Sequence, residues 1–138
     1  MIKLDGWQYK FDSFMEKAYC KSFKWGAWDC CKFADACIKE MTGESLIPKK
    51  LKWSDEKSAL KSIKDYGGTL NKSIIKACKG KLEEVEPIKM SKGDLVVFKE
   101  QSELVGMTDG FKIIGPTDGG LTFKQNVEIV SVWRIPNG

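Results

Sequence analysis

An amphipathic helix with both ends marked in the sequence constrains this chain more than any other feature. Asp29 is predicted to be its N-cap, because the carboxylate can accept the unpaired amide hydrogens of the first turn. Gly43 is predicted to end it, since glycine adopts positive φ at little cost. Between them, apolar residues recur at helical spacing: Cys30, Phe33, Ala34, Cys37, Ile38 and Met41. The pattern predicts one buried stripe, with Cys30 in the first turn and facing the core.

A cysteine in that position suggests a nucleophile, but the chain contains no histidine. The helix dipole favours a thiolate in the first turn, and a catalytic thiol usually also needs a base beside it. Asp29, Asp94, Asp109 or Asp118 could substitute, although an ordinary carboxyl group, with a pKa of about 3.9, is a poor base at neutral pH. The alternative, which the missing base favours, is that Cys30 is a small buried hydrophobe at a helix–sheet interface.

The composition argues against several classes of function. The net charge of +4 is mild and comes mostly from lysine, with Arg134 as the single arginine, so nucleic-acid binding is not expected. Five cysteines, two of them adjacent, lack the spacing of a secreted disulfide framework, and free thiols fit a reducing cytoplasm. The N-terminus has no apolar signal core. The longest apolar run extends only from Leu95 to Phe98, which is far too short to cross a membrane, so no membrane span is predicted.

Neither a metal site nor a cofactor is predicted. Cys30 and Cys31 are neighbours on one helix and are expected to point about 100° apart, so they cannot easily share one ion. The same divergence disfavours a disulfide between them. The glycine-rich segment 115–120 lacks the Lys-Ser/Thr pair and the following helix of a phosphate-binding loop, and it is predicted to be a hairpin turn.

The chain divides by composition into a helical part, residues 8 to 80, and a part rich in strands and turns, residues 81 to 138. Four helices are predicted. The first carries Phe11, Phe14, Met15 and Ala18 at helical spacing, and the second is the 30–42 helix described above. The third carries Ala59, Leu60 and Ile63 between a cap at Ser54–Asp55 and a stop at Gly67–Gly68, and the fourth covers residues 70 to 78. The predicted strands are 93–99, 103–107, 111–115, 121–124 and 130–135, joined as an antiparallel meander. We therefore predict a single α+β domain over residues 1–138, with N-terminal helices packed on a C-terminal antiparallel sheet of about five strands.

The chain resembles the NlpC-type cell-wall cysteine peptidases, a family with a compact papain-like fold. The resemblance rests on the Asp29-Cys30 helix start, on Gly93-Asp94-Leu95 opening a strand, and on the pair Val105-Gly106. In that family the cysteine after the aspartate is the nucleophile, which maps onto Cys30, and the catalytic histidine stands just before the Val-Gly pair. Leu104 has that position here. The resemblance implies an NlpC-like papain fold with a degenerate site.

A closer resemblance is to a histidine-lacking branch of this group, found in tailed bacteriophages and encoded among tail genes. The matching residues are Trp25-Gly26, Asp29-Cys30, Phe33-Ala34-Asp35-Ala36, Thr42-Gly43 and Trp133-Arg134. This resemblance implies a structural or assembly component of the virion tail, made in the host cytoplasm and docking other tail proteins. The alternatives are an active peptidoglycan-degrading peptidase or amidase, with Cys30 and a non-histidine base, and a domain that binds peptidoglycan fragments.

Two further expectations concern the surroundings of Cys30. Trp25, Trp28 and Asp29 are the candidate binding residues, although the tryptophans are also explained by packing of the helix entry against the sheet. If Leu104 replaces the histidine, its side chain is expected to face Cys30 across the helix–sheet interface and exclude water. Burial would then oppose the Cys30 thiolate more strongly than the dipole favours it, so Cys30 is expected to alkylate more slowly than Cys31.

Overall fold

The computed structural model describes residues 1–138, in which four helices precede a six-stranded sheet. The helices are α1 (Trp7–Ala18), α2 (Cys30–Thr42), α3 (Glu56–Tyr66) and α4 (Leu70–Cys78), and a 3₁₀ turn follows at Pro87–Lys89. The strands are β1 (Glu83–Val85), β2 (Leu95–Lys99), β3 (Glu103–Thr108), β4 (Ile113–Thr117), β5 (Gly120–Lys124) and β6 (Glu128–Arg134). The predicted α+β class, with helices first and antiparallel strands after, is confirmed.

The sheet has the strand order β1-β6-β2-β3-β4-β5, and every pair is antiparallel. Strands β2 to β5 form the predicted meander, but β6 crosses back to pair with β2, where Leu95 lies opposite Trp133. The short strand β1 then adds to the outer side of β6. Strand β1 was not predicted from the sequence, because three residues that include Glu83 and Glu84 carry little strand propensity.

Helix α2 packs on this sheet through the stripe predicted from the sequence. The buried residues of the stripe are Phe33, Ala34, Cys37, Ile38 and Met41. They share one cluster with residues of β2 and β3, namely Leu95, Val97, Val105 and Met107. Because side chains alternate along a strand, Val96 and Phe98 point to the opposite face, where they form a smaller cluster with Ile113 and Val132. The prediction that the stripe of α2 lies against the sheet is confirmed.

The helix ends follow from local chemistry. Asp29 has extended backbone and accepts a hydrogen bond from the Lys32 amide, while Gly43 ends α2 in the left-handed region at φ 82°. Asp55 and Ser58 form a reciprocal capping box at the start of α3. Each of these ends was predicted from the sequence to within a residue or two.

Two local predictions are wrong. Leu60 was expected to face inward from α3, but it is 57% exposed. The strand expected at 111–115 begins at Ile113, because the Asp109 side chain accepts the amide hydrogens of Phe111 and Lys112 and holds a turn there. The periodicity of α3 does not record that Leu60 lies on its exposed side, and the strand pattern does not record the turn that the Asp109 side chain holds.

A buried ion pair ties the last strand to the start of β2. The Asp94 carboxylate is fully buried and accepts from the Arg134 guanidinium through two nitrogens, at 3.0 Å and 2.9 Å. It also accepts the Ser91 amide hydrogen at 2.9 Å. Arg134 in turn donates to the Lys89 carbonyl, so the pair fastens the segment after the 3₁₀ turn to the sheet. Asp94 directly precedes β2 and has a structural role, because its carboxylate joins the start of this strand to Arg134 and Ser91.

No helix combines the length and the apolar character that a membrane span needs; the longest, α2, has 13 residues, against about 20 for a span.

Candidate functional site

A cleft of about 400 Å³ opens beside the N-terminus of α2. Its walls come from the segment before α2, from α3 and the residues that precede it, from the start of α4 and from the start of β3. Both thiols in the first turn of α2, Cys30 and Cys31, lie in this lining together with Trp25 and Asp29. The fold therefore gathers four of the site residues singled out from the sequence around one opening: Trp25, Asp29, Cys30 and Leu104.

Asp29 organises the cleft as well as capping α2. Its carboxylate is buried and accepts three hydrogen bonds, from the Lys32 amide at 2.9 Å, the Gly26 amide at 2.9 Å and Trp53 Nε1 at 2.7 Å. The side chain therefore joins the helix to the turn before it and to the segment that leads into α3. Sequence reasoning identified the cap but missed Trp53, whose contact spans 24 residues of chain.

The neighbouring thiols of Cys30 and Cys31 influence each other's ionisation. The pKa of Cys30 is lowered, chiefly because the neighbouring Cys31 thiol favours the Cys30 thiolate as a donor. Burial opposes the change, while the backbone amide of Val105 favours the Cys30 thiolate. The pKa of Cys31 is raised well above its usual range, because its proton is held by Cys30 and because it is buried. The expectation that desolvation dominates at Cys30 is therefore wrong.

This geometry reverses the predicted order of alkylation. Only the thiolate attacks iodoacetamide, so a lowered pKa at Cys30 brings its reaction to lower pH than that of Cys31, whose pKa is raised. We expect Cys30 to be modified before Cys31 in the folded protein near neutral pH. The two residues share the tryptic peptide Trp25–Lys32, and fragmentation between them by tandem mass spectrometry assigns the label.

The buried thiols serve as internal controls for this experiment. Burial raises the pKa of Cys37 and raises that of Cys78 to about 12, so both should stay unmodified until the protein is unfolded. Faster labelling of Cys31 than of Cys30 would contradict the donor role of the Cys31 thiol described above. Early labelling of Cys37 would instead mean that the helix–sheet interface opens.

Leu104 shares the cleft with Cys30, but it does not pack as the resemblance implied. Its side chain lies against the cluster on the far face of the sheet, with Phe98 among its members. Strand alternation puts the next residue, Val105, on the face that α2 covers, and Val105 is buried there. Val105 and not Leu104 therefore stands across the helix–sheet interface from Cys30.

Of the two candidate tryptophans, only Trp25 lines the cleft. Trp28 is 7% exposed and packs edge-on against Phe33 at 5.6 Å between ring centroids, with Phe14 nearby at 5.8 Å. Its indole nitrogen has no hydrogen-bond partner. Trp28 thus has the packing role that was the alternative interpretation, and its prediction as a groove residue is wrong.

The carboxylates that the sequence offered as bases lie elsewhere, except for Asp29. Asp94 is paired with Arg134, Asp109 holds the turn before β4, and Asp118 lies in the turn between β4 and β5; none of these three lines the cleft. The acidic residues found there besides Asp29 are Glu56 and Glu103. Sequence reasoning missed both, although Glu103 directly precedes the residue aligned with the family histidine.

Glu103 is held by a chain of hydrogen bonds that links α4 to the sheet. Its carboxylate accepts the amide hydrogen of Asn71, in the first turn of α4, at 3.1 Å. The Asn71 side-chain oxygen accepts from Ser131 at 2.7 Å, and Ser131 accepts from Trp133 Nε1 at 3.0 Å. A carboxylate at a helix N-terminus is favoured by the dipole, so the arrangement keeps Glu103 at the rim of the cleft as an acceptor.

Gly26 permits the close approach between the two segments that Asp29 joins. Its φ is +78°, and a Cβ atom there would lie 2.6 Å from the Trp53 carbonyl oxygen. We expect Gly26→Ala to lower the free energy of unfolding by about 2–3 kcal/mol, from the left-handed backbone and the overlap together. Gly43→Ala is the matched control, because Gly43 has φ +82° with nothing within 4 Å of its Cβ position, and should cost about 1 kcal/mol. Urea unfolding measures both, and equal losses would mean that the contact with Trp53 relaxes freely.

The five cysteines are all free thiols, and nowhere do three or more His, Cys, Asp or Glu side chains group to hold a metal ion. The cleft brings two neighbouring thiols, Cys30 and Cys31, together with carboxylates and apolar walls. It offers a thiolate that could attack an electrophile and acceptors for a cationic or hydrogen-bond-donating ligand.

Comparison with known proteins places the chain in a family without assigning it an activity. No curated protein matches the chain. Residues 2–135, nearly its whole length, match the family described as a domain of unknown function (DUF6950). That match takes in the helix of Cys30, the cleft and the complete sheet, so the chain belongs to the DUF6950 family.

Proposed function

We propose that the chain is a structural or assembly component of a bacteriophage tail, in which the cleft beside α2 docks another tail protein. The resemblance to histidine-lacking phage proteins supports this role. A helix that carries a cysteine at its N-terminus and packs on an antiparallel sheet supports the more specific proposal of an NlpC-like papain fold. On this proposal the fold has kept the position of an active site while its use has changed from cutting to binding.

The observation that carries the proposal is the set of polar groups around Cys30. The cleft has a thiol pair and the carboxylates of Asp29, Glu56 and Glu103, and the chain contains no imidazole. Amide hydrolysis by a thiol needs a group that takes a proton from the nucleophile and gives one to the leaving amine. A carboxylate is a weaker proton acceptor than an imidazole near neutral pH, so it is less suited to take the thiol proton and pass it to the amine. A cleft of this composition suits recognition better than hydrolysis.

Purified virions test the proposal directly. Quantitative mass spectrometry of particles purified by density gradient should detect the protein at low copy number relative to the major capsid protein. Particles grown with the gene deleted, and with the gene supplied in trans, are the matched controls for tail assembly. Absence of the protein from particles, together with normal tails in the deletion, would contradict the proposal.

The second candidate function is an active cysteine peptidase or amidase that trims peptidoglycan during genome entry. The lowered pKa of Cys30 and its place in an open cleft favour it, since a thiolate is the attacking species. Glu103 would then act as the non-histidine base. Purified protein incubated with peptidoglycan should release no stem-peptide fragments if the first proposal holds.

The control for this assay is a second cysteine variant. Cys20 is exposed and lies outside the cleft, so Cys20→Ala should behave like the unmodified chain in either case. Fragment release that survives Cys20→Ala and disappears in Cys30→Ala would establish the enzyme and displace the docking role. Release that survives both variants would indicate a contaminating hydrolase.

A further inference from the structure

An apolar cavity of about 60 Å³ lies below the cleft. It is partly open and is lined by α2, α3, α4, the segment that joins α2 to α3, and the sheet, and 14 of its 18 lining residues are hydrophobic. A cavity with such walls does not hold water well, because water needs several polar partners. It is smaller than the roughly 150 Å³ that admits benzene, so a short aliphatic group fits it and a ring does not.

The cavity and the cleft share a wall made of Cys31, Trp53, Ile63 and Leu70. The two spaces are therefore neighbours on either side of Cys31. The rim above them is apolar as well, since Leu60 is 57% exposed and Trp25 is 36% exposed. These exposed side chains give a ligand apolar surface to cover in addition to the cavity.

The charge of the cleft is opposite to that of the chain. The chain carries a net charge of +4, yet the cleft is lined by Asp29, Glu56 and Glu103 and by no lysine or arginine. Asp29 is saturated by three internal donors, whereas Glu103 accepts one backbone amide hydrogen and neither glutamate forms an ion pair. Two carboxylates at the opening thus form no ion pair, although the Lys32 ammonium lies over the ring of Trp53, another cleft residue, at 4.6 Å. Such a surface selects a basic ligand.

We propose that the cleft binds an extended segment of a partner protein that carries a short aliphatic side chain flanked by lysine or arginine. The aliphatic group fills the cavity below Cys31, and the flanking cations face Glu56 and Glu103. The inference rests on the docking role proposed above and names the chemistry of the partner.

Three capped peptides test the proposal: Gly-Lys-Val-Lys-Gly, Gly-Lys-Gly-Lys-Gly and Gly-Glu-Val-Glu-Gly. Amide NMR spectra of the labelled full chain should shift at cleft residues on titration with the lysine–valine peptide, and the affinity should fall as salt is added. The glycine peptide should bind at least about tenfold more weakly, since it leaves the cavity empty. The glutamate peptide should not bind.

Two protein variants locate the contacts. Ala77→Leu fills the cavity from α4 without polar change and should abolish the preference for valine over glycine while leaving the melting temperature unchanged or higher. Glu56→Gln should weaken binding of the lysine–valine peptide about two- to fivefold, and Glu84→Gln on exposed β1 is its matched control.

The proposal is overturned if the glutamate peptide binds as well as the lysine–valine peptide. It is also overturned if the lysine peptides leave the cleft amides unshifted, or if only soluble peptidoglycan fragments shift them. A preference for valine that Ala77→Leu leaves intact would equally contradict it. The peptide titration and the analysis of virions can fail separately. If the peptide binds but the protein is absent from particles, only the tail role is defeated. If the protein is present in particles but the peptide does not bind, only this inference is defeated.

Discussion

Asp29→Ala is expected to lower the free energy of unfolding by about 3–5 kcal/mol, a large share of the stability of a domain of this size. Loss of the N-cap of α2 accounts for about 1 kcal/mol. The remainder comes from the Gly26 amide and Trp53 Nε1, two donors that the buried carboxylate now satisfies and alanine would not. Urea unfolding followed by circular dichroism should show a lower midpoint with an unchanged slope.

Asp55→Ala is the control that separates capping from the organisation of the cleft. Asp55 caps α3 with the same geometry, but it lies at the surface and makes no long-range hydrogen bond. Its replacement should cost about 0.5–2 kcal/mol. If Asp29→Ala costs no more than Asp55→Ala, then water replaces the carboxylate beside Gly26 and Trp53, and the cleft does not depend on this side chain.

The helix of Cys30 was predictable because everything that defines it is local. Asp29 and Gly43 each act on the adjacent turn of the helix, and the stripe relates residues three or four positions apart; the structure places the helix between those two caps. The α+β class followed from the order of helical and strand patterns along the chain. The sheet order did not, since pairing β6 with β2 rather than with β5 depends on contacts such as Leu95 with Trp133 that no local pattern records.

The cleft was harder to predict, because it depends on distant residues and on strand register. Trp53 reaches Asp29 across 24 residues, and Glu103 enters the cleft because it begins β3. A shift of one residue in register exchanges the two faces of a strand, which is why Val105 has the place expected for Leu104. The mutual influence of the Cys30 and Cys31 thiols depends on side-chain rotamers, and helical periodicity alone describes only the backbone direction.

Arg134→Met is expected to cost about 3–5 kcal/mol, more than removal of its partner. The Asp94 carboxylate is fully buried, so without the guanidinium it keeps only the Ser91 amide as a donor in a place that water does not reach. In the Asp94→Leu variant, the Arg134 guanidinium loses its partner but can be hydrated, because 31% of the Arg134 side chain is exposed. We therefore expect Asp94→Leu to lower the free energy of unfolding by about 1–3 kcal/mol. The double variant should be less destabilised than Arg134→Met alone, because the buried Asp94 carboxylate is no longer left without its guanidinium partner. Urea unfolding of the three variants completes the cycle. A double variant that loses the sum of the two single losses would mean that the two side chains stabilise the chain independently, and that the segment around Ser91 is held to the sheet by other contacts.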